Sequence, residues 1–367
     1  MQVTYFGTWE DGYPRNEQVI SALRKAGVHV DVVHESLWSG EHKFATGVGA
    51  LPRLVAAEAR LALRRVSRES DALIVGYPGH SDIWSAKRHG RPVVFNAMVS
   101  LYDTLVEDRG RFSAGSLPAR ALRAIDRAAL RAADSVVSDT KANAAFLADL
   151  AGIEEPAVCY VGAEERLFTH GWRRPERFTA LFVGKLIPLH GIEVILDAAA
   201  RLPHISFRVV GSGQLETLLE KRPSNVEHVK WIDYNELPSE YARAGCALGV
   251  FGASAKARRV IPNKAFQAMA VGTPLVTAAT EGVAELLEDR RNAVLTSDST
   301  GEALAQAIQT LHDDAGLSER IGRAGRKTFE IEASEHVLGG RWRDVVETAT
   351  RRTSTSSADA RDRRSGQ

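Results

Sequence analysis

The chain repeats one pattern. A short apolar run rich in β-branched residues ends at glycine or a polar turn, and a stretch of helical period follows. The first series contains the runs "QVTYFG", "HVDVVH", "DALIVG", "RPVVFN", "DSVVSDT" and "PAVCYVG", and the second contains "FTALFVG", "SFRVVG", "VEHVKW", "CALGVF" and "PLVTA". Strands that alternate with helices in this way pair in parallel, with helices on both faces of the sheet. The sequence therefore predicts an α/β fold with two Rossmann-like, doubly wound sheets.

The pattern lapses once, in "EERLFTHGWRRPER". A chain of 367 residues exceeds one ordinary domain, so two domains are expected. The predicted division is a first Rossmann-like domain over 1–165, a linker over 166–176, a second Rossmann-like domain over 177–334, a helix over 335–352 that crosses back to the first domain, and a disordered tail over 353–367. The tail is polar and lacks aromatic residues, which is typical of disorder. We expect the two domains to face each other across a cleft.

The overall charge argues against a polyanionic partner. The chain has 47 basic and 46 acidic residues, a net charge of +1, so no nucleic acid partner is expected. Cys159 and Cys246 lie far apart in apolar runs, which suits reduced core thiols better than a disulfide or a metal site. The sequence shows neither a secretory leader nor a membrane-spanning apolar run, which predicts a cytoplasmic protein.

One basic amphipathic segment, residues 51–70, has two interpretations. Its arginines flank a stripe of Leu, Val and Ala and outnumber its two glutamates; they are Arg53, Arg60, Arg64, Arg65 and Arg68. Such a segment either makes a peripheral contact with the inner face of an anionic membrane, or packs on its own domain with a solvated basic face.

Motifs of several other chemistries are absent from the sequence. It contains no G-x-x-x-x-G-K-[ST], no H-E-x-x-H, no Cys-x-x-Cys and no D-x-D, which disfavours P-loop phosphotransfer and a metal site. The stretch "GSGQLE" at Gly211 has glutamate at the third glycine position of G-x-G-x-x-G. This departure disfavours a dinucleotide dehydrogenase. We expect neither a metal nor a cofactor.

The turn "VGKLIPLHG" follows the first strand of the second domain. In doubly wound sheets, ligands bind at the carboxyl ends of the strands, where this turn lies. Gly184 permits close backbone approach, while Lys185 and His190 place one fixed and one switchable cation beside a helix N-terminus. That arrangement suits a diphosphate, although a Gly-Lys turn is more often only a turn.

The stretch "RRVIPNKAFQAMAVGTPLVT" predicts a helix that begins at Pro262. At 100° per residue, Lys264 and Gln267 share its polar face, which we expect to look into the cleft. Lys264 in the first turn opposes the helix dipole, and an anion would relieve that conflict. With Lys256, Arg258 and Arg259 before it, this cationic cluster predicts a phosphate site, the alternative being solvated surface charge.

In the first domain, polar residues also follow the strands. We expect Gly7 just after the first strand, as a contact for a diphosphate. His80 follows the third strand and is a candidate acid or base, although a single loop histidine is more often only a hydrogen-bonding residue. Asp103 follows the fourth strand and is a second catalytic candidate, unless it caps a helix.

Four segments, taken in order, resemble the donor-binding domain of GT-B glycosyltransferases of family 4. They are "LFVGKLIPLHGIEVILDAAARL", "FRVVGSGQLE", "NVEHVKWID" with "ELPSEYARAGCALGVF", and "PNKAFQAMAVGTPLVTAATEGVAELLEDRRNAVL". The similarity covers nearly all of the second domain, and "YPRNEQVISALRKAGVHV" is similar to the usual opening of such chains. The resemblance implies a retaining, metal-independent enzyme. It would move a sugar from a nucleotide diphosphate sugar to a glycan, a lipid-linked or a small-molecule acceptor held by the first domain.

The resemblance also implies roles for individual residues. Lys185 matches the family's diphosphate-binding arginine, and His190 matches the lysine that follows it. Gly211 and Gly213 match the turn near the nucleoside. With Lys264, Arg259 and the helix N-terminus, Lys185 would stabilise the departing diphosphate.

Two departures from the family pattern stand out. Where the family commonly carries two glutamates eight positions apart, this chain has Arg259 and Gln267. Gln267 can still hydrogen-bond a ribose, whereas Arg259 cannot imitate a carboxylate. Glu281 is then a candidate for the carboxylate near the sugar, and Glu285 for a nucleoside contact. The histidine often found in the acceptor domain has no secure match, and His80 is its candidate.

Three alternatives stay open at the level of the sequence. A sugar-nucleotide epimerase of the same architecture would need acidic groups in the cleft. A non-catalytic partner of another glycosyltransferase would explain the missing glutamates. An NAD-dependent oxidoreductase is the least favoured.

Overall fold

The computed structural model describes residues 1–9, 11, 13–36 and 51–365, and the side chains of these except residue 51 and residues 354–365. The chain divides into two compact units, each assembled from separate stretches. Unit 1 contains Met1–Tyr102, Phe112–Cys159 and Glu335–Gln367, and unit 2 contains Asp103–Arg111 and Tyr160–Ser334.

Unit 1 is built on a parallel sheet. Its described strands are β1 (Gln2–Trp9), β2 (His29–Ser36), β3 (Ala72–Val75), β4 (Val93–Asn96), β5 (Ser135–Ser138) and β6 (Ala157–Val158), in the order β2-β1-β3-β4-β5-β6. The helices between them are α1 (Pro14–Lys25), α2 (Leu51–Leu63), α3 (Asp82–Lys87), α4 (Leu117–Ala132) and α5 (Lys141–Ala151). The central strands β3 and β4 are buried at every position, as expected when helices cover both faces.

A long C-terminal helix, α13 (Glu335–Ser365), completes unit 1. It packs against α1, and Gly339 permits the close approach because a Cβ there would overlap the carbonyl oxygen of Ala22. Trp342 and Val346 enter the apolar core below. The first turn of α13 is fastened through Glu335, which accepts a hydrogen bond of 2.7 Å from Ser21.

Unit 2 repeats the architecture. Its described strands are β7 (Thr179–Val183), β8 (Ser206–Val210), β9 (Val226–Val229), β10 (Cys246–Leu248), β11 (Leu275–Ala278) and β12 (Val294–Thr296), in the order β12-β11-β10-β7-β8-β9. The helices are α6 (Ile192–Arg201), α7 (Leu237–Arg243), α8 (Ala255–Arg259), α9 (Asn263–Val271), α10 (Glu281–Ala284), α11 (Gly301–Asp313) and α12 (Ala315–Glu332). Cys159 in unit 1 and Cys246 in unit 2 are buried free thiols, as predicted.

Several boundaries differ from those predicted. Residues 160–176, expected to contain the linker, are part of unit 2, where the buried Trp172 donates to the carbonyl of Ala244. The helix of the basic segment ends at Leu63, so residues 64–70 do not extend it. Helix α13 continues to Ser365, where a disordered tail was expected, because 353–365 contains no proline or glycine. Residues 366–367 of that tail lie outside the described residues.

A further difference concerns residues 103–111, which the sequence assigns to the first domain. They belong to unit 2, although Tyr102 and Phe112 on either side belong to unit 1. Their core is a π-helical turn, Asp103–Asp108. We call Asp103–Arg111 the strap.

Candidate functional site

Three glycines bring two strand ends of unit 2 into contact. Gly184 follows β7, and Gly211 and Gly213 follow the neighbouring strand β8. A Cβ at Gly211 would overlap the carbonyl oxygen of Gly184, and one at Gly213 would lie 2.7 Å from the carbonyl oxygen of Leu186. All three adopt positive φ angles, +154°, +136° and +154° in chain order, which favours glycine. The turns therefore bring backbone to the edge of the sheet where ligands bind.

Lys264 from α9 occupies the space beside Gly184. A Cβ at that glycine would lie 2.8 Å from Lys264 Nζ and 3.3 Å from the ring of His190. The Lys264 side chain is 5% exposed, and its ammonium lies 3.8 Å from the ring centroid of Phe182. In the part of the chain that the structure describes, Nζ has no hydrogen-bond partner. Burial lowers the pKa of Lys264 well below its ordinary value.

Pro262 is the N-cap of this helix, which therefore begins at Asn263, one residue later than predicted. The predicted polar face of α9 is buried, because Gln267 also points inward and its carbonyl oxygen accepts a 3.0 Å hydrogen bond from the phenol of Tyr241. Lys264 thus stands in the first turn, where the helix dipole disfavours a cation unless an anion lies nearby.

His190 does not supply the switchable cation that was expected. It is buried in the short 3₁₀ turn Pro188–His190, and its Nδ1 donates to the carbonyl of Lys185. Burial, and next the charge of Lys264, lower the pKa of His190 well below its ordinary value. The ring is therefore neutral near pH 7 and offers hydrogen bonding instead of charge. Lys185 itself is exposed.

Arg259 ends helix α8 and pairs with Asp103, its Nη2 lying 2.9 Å from the carboxylate. Both side chains are largely buried, with exposures of 13% and 2%. The structure therefore brings together two residues for which the sequence predicted separate roles, a diphosphate ligand and a catalytic acid. The carboxylate neutralises the charge that Arg259 was expected to offer to a diphosphate.

The strap makes three further hydrogen bonds, each with another segment of unit 2. Lys256 donates to the hydroxyl of Thr104 at 2.6 Å, and Ser254 donates to Asp108 at 3.2 Å. From the turn after β8, Gln214 donates to the carbonyl of Arg109 at 3.4 Å. The strap thus spans from the start of α8 to the glycine turn.

The candidate carboxylates of the following segment lie at the two ends of α10. Glu281 begins that helix, whose N-cap is Thr280, and it is exposed. Glu285 is its half-buried C-cap. Between them, Gly282 packs on the backbone of Arg259, since a Cβ there would overlap its carbonyl oxygen. Glu281 and Glu285 therefore stay predictions as sugar and nucleoside contacts.

In unit 1, Gly7 does not have the position predicted for a diphosphate contact. It lies inside β1, which continues to Trp9. The space above Gly7 is filled by the carboxylate of Asp82, which a Cβ would overlap. Asp82 accepts hydrogen bonds from the amide and the hydroxyl of Thr8, at 2.7 and 2.8 Å. A protein carboxylate therefore already occupies the place where an anion was expected.

His80 is buried, and both of its ring nitrogens face acceptors. Nδ1 lies 2.7 Å from the carbonyl of Pro78, and Nε2 lies 3.1 Å from Asp126. Asp126 also accepts from Ser100 and from the amides of Leu101 and Tyr102, at 2.6 to 3.0 Å. Burial raises the pKa of Asp126, but the bonds from His80 and Ser100 outweigh this and lower it. The geometry suits a hydrogen-bonded pair that fixes residues 100–102 better than an acid or base for a substrate.

Sequence reasoning missed two buried carboxylates at these sites. Asp126 lies in the middle of the apolar face of α4, and an acidic residue at a core position is itself a signal. Asp108 ends the acidic run "VED", but no sequence pattern places that run beside Lys256.

Comparison with known proteins places the chain near glycosyltransferases. Residues 190–347 match a family model described as glycosyl transferase-like. The lipopolysaccharide core biosynthesis glycosyltransferase LpsE of Rhizobium meliloti is 23% identical over 156 residues, 42% of this chain and 46% of that protein. D-inositol 3-phosphate glycosyltransferase 1 of Catenulispora acidiphila is 27% identical over 327 residues, 78% of this chain and 75% of that protein. Against LpsE and the related LpsD, the chain spans about half the length of the relative.

Solved structures share the architecture. Sucrose-phosphate synthase from Thermosynechococcus elongatus has a TM-score of 0.73 at 17% identity, over 95% of this chain and 98% of that one. Anabaena HepE in complex with UDP-glucose has a TM-score of 0.68 at 16% identity, over 95% and 99%. The chain has the GT-B fold, two Rossmann-like domains with parallel sheets. No helix in the described ranges is long and apolar enough to cross a membrane.

Proposed function

We propose that the chain is a retaining, metal-independent glycosyltransferase of family 4. It transfers a hexosyl group from a nucleotide diphosphate sugar to a glycan, a lipid-linked or a small-molecule acceptor. The observation that carries the proposal is Lys264, a buried ammonium without a hydrogen-bond partner among the described residues, in the first turn of α9 beside Gly184. A buried cation is costly unless an anion compensates it, and a diphosphate is the anion that this sheet edge suits.

The comparisons support the donor class. The proteins that the chain resembles are named as glycosyltransferases, and one structural neighbour holds UDP-glucose. We extend a nucleotide-sugar donor to this chain on the basis of that likeness together with the Lys264 site. Gly211 and Gly213 lie one strand away from that lysine and are proposed to approach the nucleoside.

The proposed chemistry rests on charge stabilisation. The bond between the anomeric carbon and the diphosphate oxygen breaks as the acceptor oxygen attacks from the same face, and the acceptor proton passes to the departing diphosphate. Lys264 and the N-terminus of α9 stabilise the negative charge that develops on the leaving group. The exposed Lys185 adds a second cation, while the neutral His190 acts as a hydrogen-bonding group. No step requires a metal or a cofactor.

A thermal-shift panel tests the proposal. UDP, GDP, ADP and dTDP, each with and without a sugar, are added to the wild type, to Lys264→Met and to Lys327→Met, which removes an exposed lysine of α12. One nucleotide should raise the melting temperature of the wild type and of Lys327→Met, since saturation at 100 times Kd adds about 2.7 kcal/mol. Lys264→Met should show a much smaller shift, because it binds the nucleotide more weakly.

The other outcomes favour the alternatives. If no nucleotide shifts the wild type, the non-catalytic partner becomes the better explanation and the proposal is wrong. Turnover with the matching donor sugar then separates two enzymes, because an epimerase releases free sugar product without any acceptor.

We also propose a cytoplasmic protein that contacts the inner face of an anionic membrane through α2. Val55 and Leu63 of α2 are 61% and 82% exposed and, eight residues apart, lie on one side of the helix. Arg60 and Arg64 pair with Glu35, so attraction to an anionic surface would rest on the other arginines of the basic segment. Sedimentation with vesicles containing phosphatidylserine should deplete the protein, and the double substitution of Val55 and Leu63 by Ser should prevent this. Equal sedimentation of both proteins would contradict the membrane contact.

A further inference from the structure

Around the strap, buried atoms of oppositely charged side chains have no hydrogen-bond partner among the described residues. Asp108 is 5% exposed, and its Oδ2 has no hydrogen-bond partner within the described ranges; neither has Nε of Arg109. Lys264 Nζ, described above, is another such atom in unit 2. A buried polar atom without a partner costs about 1–3 kcal/mol, and more if it is charged. Such a group is a natural place to look for a ligand.

The strap is bonded to the segment that packs on the turn of His190, whose ring lies beside Gly184 together with Lys264. Phe251 and Gly252, just before Ser254, donate backbone hydrogen bonds of 3.2 Å to the carbonyls of His190 and Leu189. The bond from Gln214 holds the other end of the strap at the glycine turn after β8. The strap is therefore held to both of the segments that surround the proposed diphosphate site.

The ammonium of Lys264 and the carboxylate of Asp108 bind different chemical groups. An ammonium binds a diphosphate, whereas a carboxylate oxygen accepts hydrogen bonds from hydroxyl groups and repels a phosphate. Only a ligand with an anionic end and a hydroxyl-bearing end satisfies both. Burial raises the pKa of Asp108 above its ordinary value against the opposing charge of Lys256, so a hydroxyl donor would also relieve the cost of ionising it.

We propose that the strap is the sugar-recognising wall of the donor site and that Asp108 accepts a hydrogen bond from a hydroxyl group of the donor's sugar. This inference rests on the proposed function. Arg259 is a positioning residue, because its ion pair with Asp103 fixes the start of the π-helical turn that carries Asp108. The carboxylate that the sequence lacks at position 259 is thus supplied from a different part of the chain.

The test separates the sugar from the nucleotide. Calorimetry measures the affinity for UDP and UDP-glucose, GDP and GDP-mannose, and ADP and ADP-glucose, in the wild type, in Asp108→Asn and in Asp313→Asn, which alters an exposed carboxylate of α11. In Asp108→Asn, affinity for the sugar nucleotide that the wild type binds should fall about 10- to 100-fold, the range for a hydrogen bond to a charged group. Affinity for the bare nucleotide should not change, which also shows that the site is folded. Asp313→Asn should match the wild type.

Every other result overturns either the role of Asp108 alone or the proposed function with it. Equal weakening of nucleotide and sugar nucleotide, or no change in either, overturns the role of Asp108 and leaves the proposed function standing. Failure of every nucleotide to bind the wild type overturns both. If Asp108→Asn does not fold, Asp108→Ser removes the carboxylate without adding volume and must give the same selective loss.

The role of Arg259 is tested by non-additivity. Arg259→Gln should reduce affinity for the sugar nucleotide in the wild-type background and add little in the Asp108→Asn background, because both changes remove one interaction. Additive losses in the double variant would show that Arg259 does not act through the strap.

Discussion

The buried charge of Lys264 lowers the stability of the unliganded protein. Its ammonium is buried over the ring of Phe182 and has no hydrogen-bond partner among the described residues. We expect Lys264→Met, which keeps an unbranched side chain of similar length and removes the charge, to raise the free energy of unfolding by about 2 kcal/mol.

Because the pKa of Lys264 is lowered on folding, the unfolded state binds more protons between that pKa and about 10.5. The wild type should therefore gain stability as pH rises through this range, and the advantage of Lys264→Met should shrink. Chemical denaturation at several pH values measures both, and a wild type more stable than the variant near pH 7 would contradict the expectation.

The same lysine links donor binding to protons. A bound diphosphate favours the charged form and raises the pKa of Lys264, so the protein should take up protons on binding wherever the unliganded lysine is partly neutral. Calorimetry in two buffers of different ionisation enthalpy, from about pH 6 to about pH 9, gives the number of protons taken up. Lys264→Met serves as the control for protons released by the nucleotide itself. Identical proton uptake in both proteins would show that Lys264 does not meet the diphosphate.

The pair formed by His80 and Asp126 differs from Lys264, because both of its side chains have hydrogen-bond partners. Asp126→Asn removes the carboxylate that faces Nε2 of the buried His80 and should cost about 3 kcal/mol, as breaking a buried pair does. Since the pKa of Asp126 is lowered on folding, this contribution is present above about pH 4 and is lost as pH falls below it. Thermal unfolding at neutral pH measures the loss, with Asp149→Asn on the exposed face of α5 as the control. If both variants melt like the wild type, the pair is not what holds residues 100–102.

At the scale of elements, the sequence predicts what depends on local period and misses what depends on distant partners. The strands of both sheets, the buried cysteines and the helix that begins after Pro262 follow from apolar runs and turn residues. The position of Gly7 inside β1 depends instead on Asp82, far along the chain. The strap is a similar case, because nothing local in "DTLVED" predicts its bonds to α8. The sequence therefore predicts the positions that local pattern decides, which are the glycine turns after β7 and β8 and the first turn of α9 with Lys264.

Adjacent glycines in α13 offer a matched test of how that helix packs. A Cβ at Gly339 would overlap the carbonyl oxygen of Ala22 in α1, whereas one at Gly340 would meet nothing within 4 Å. Gly339→Ala should therefore destabilise unit 1 by about 1–3 kcal/mol through overpacking. Gly340→Ala should stabilise it by up to about 1 kcal/mol, because alanine favours the helix. Equal effects of the two variants on the denaturation midpoint would contradict the packing of α13 on α1.

At the scale of the molecule, chain order and folding units do not coincide. Unit 1 is completed only by residues after Glu335, and unit 2 contains a strap that comes from the first third of the chain. A substitution can therefore act on a unit to which its neighbours in sequence do not belong. Asp103 is an example, because its neighbour Tyr102 belongs to unit 1, whereas its partner Arg259 lies in unit 2, more than 150 positions away.

Removal of α13 tests this organisation. A chain that stops after Ser334 loses Trp342, Val346 and Ala349 from the core of unit 1, which should cost it at least about 5 kcal/mol. Hydrogen exchange should then speed up in β1 and α1, which lie several hundred residues from the cut, while β7 and β8, much nearer to it in sequence, keep their protection. A chain that stops after Thr353 keeps all three core side chains and should exchange like the full-length protein. Faster exchange in β7 and β8 with no change in β1 would show that α13 stabilises the unit that precedes it in sequence, contrary to its packing.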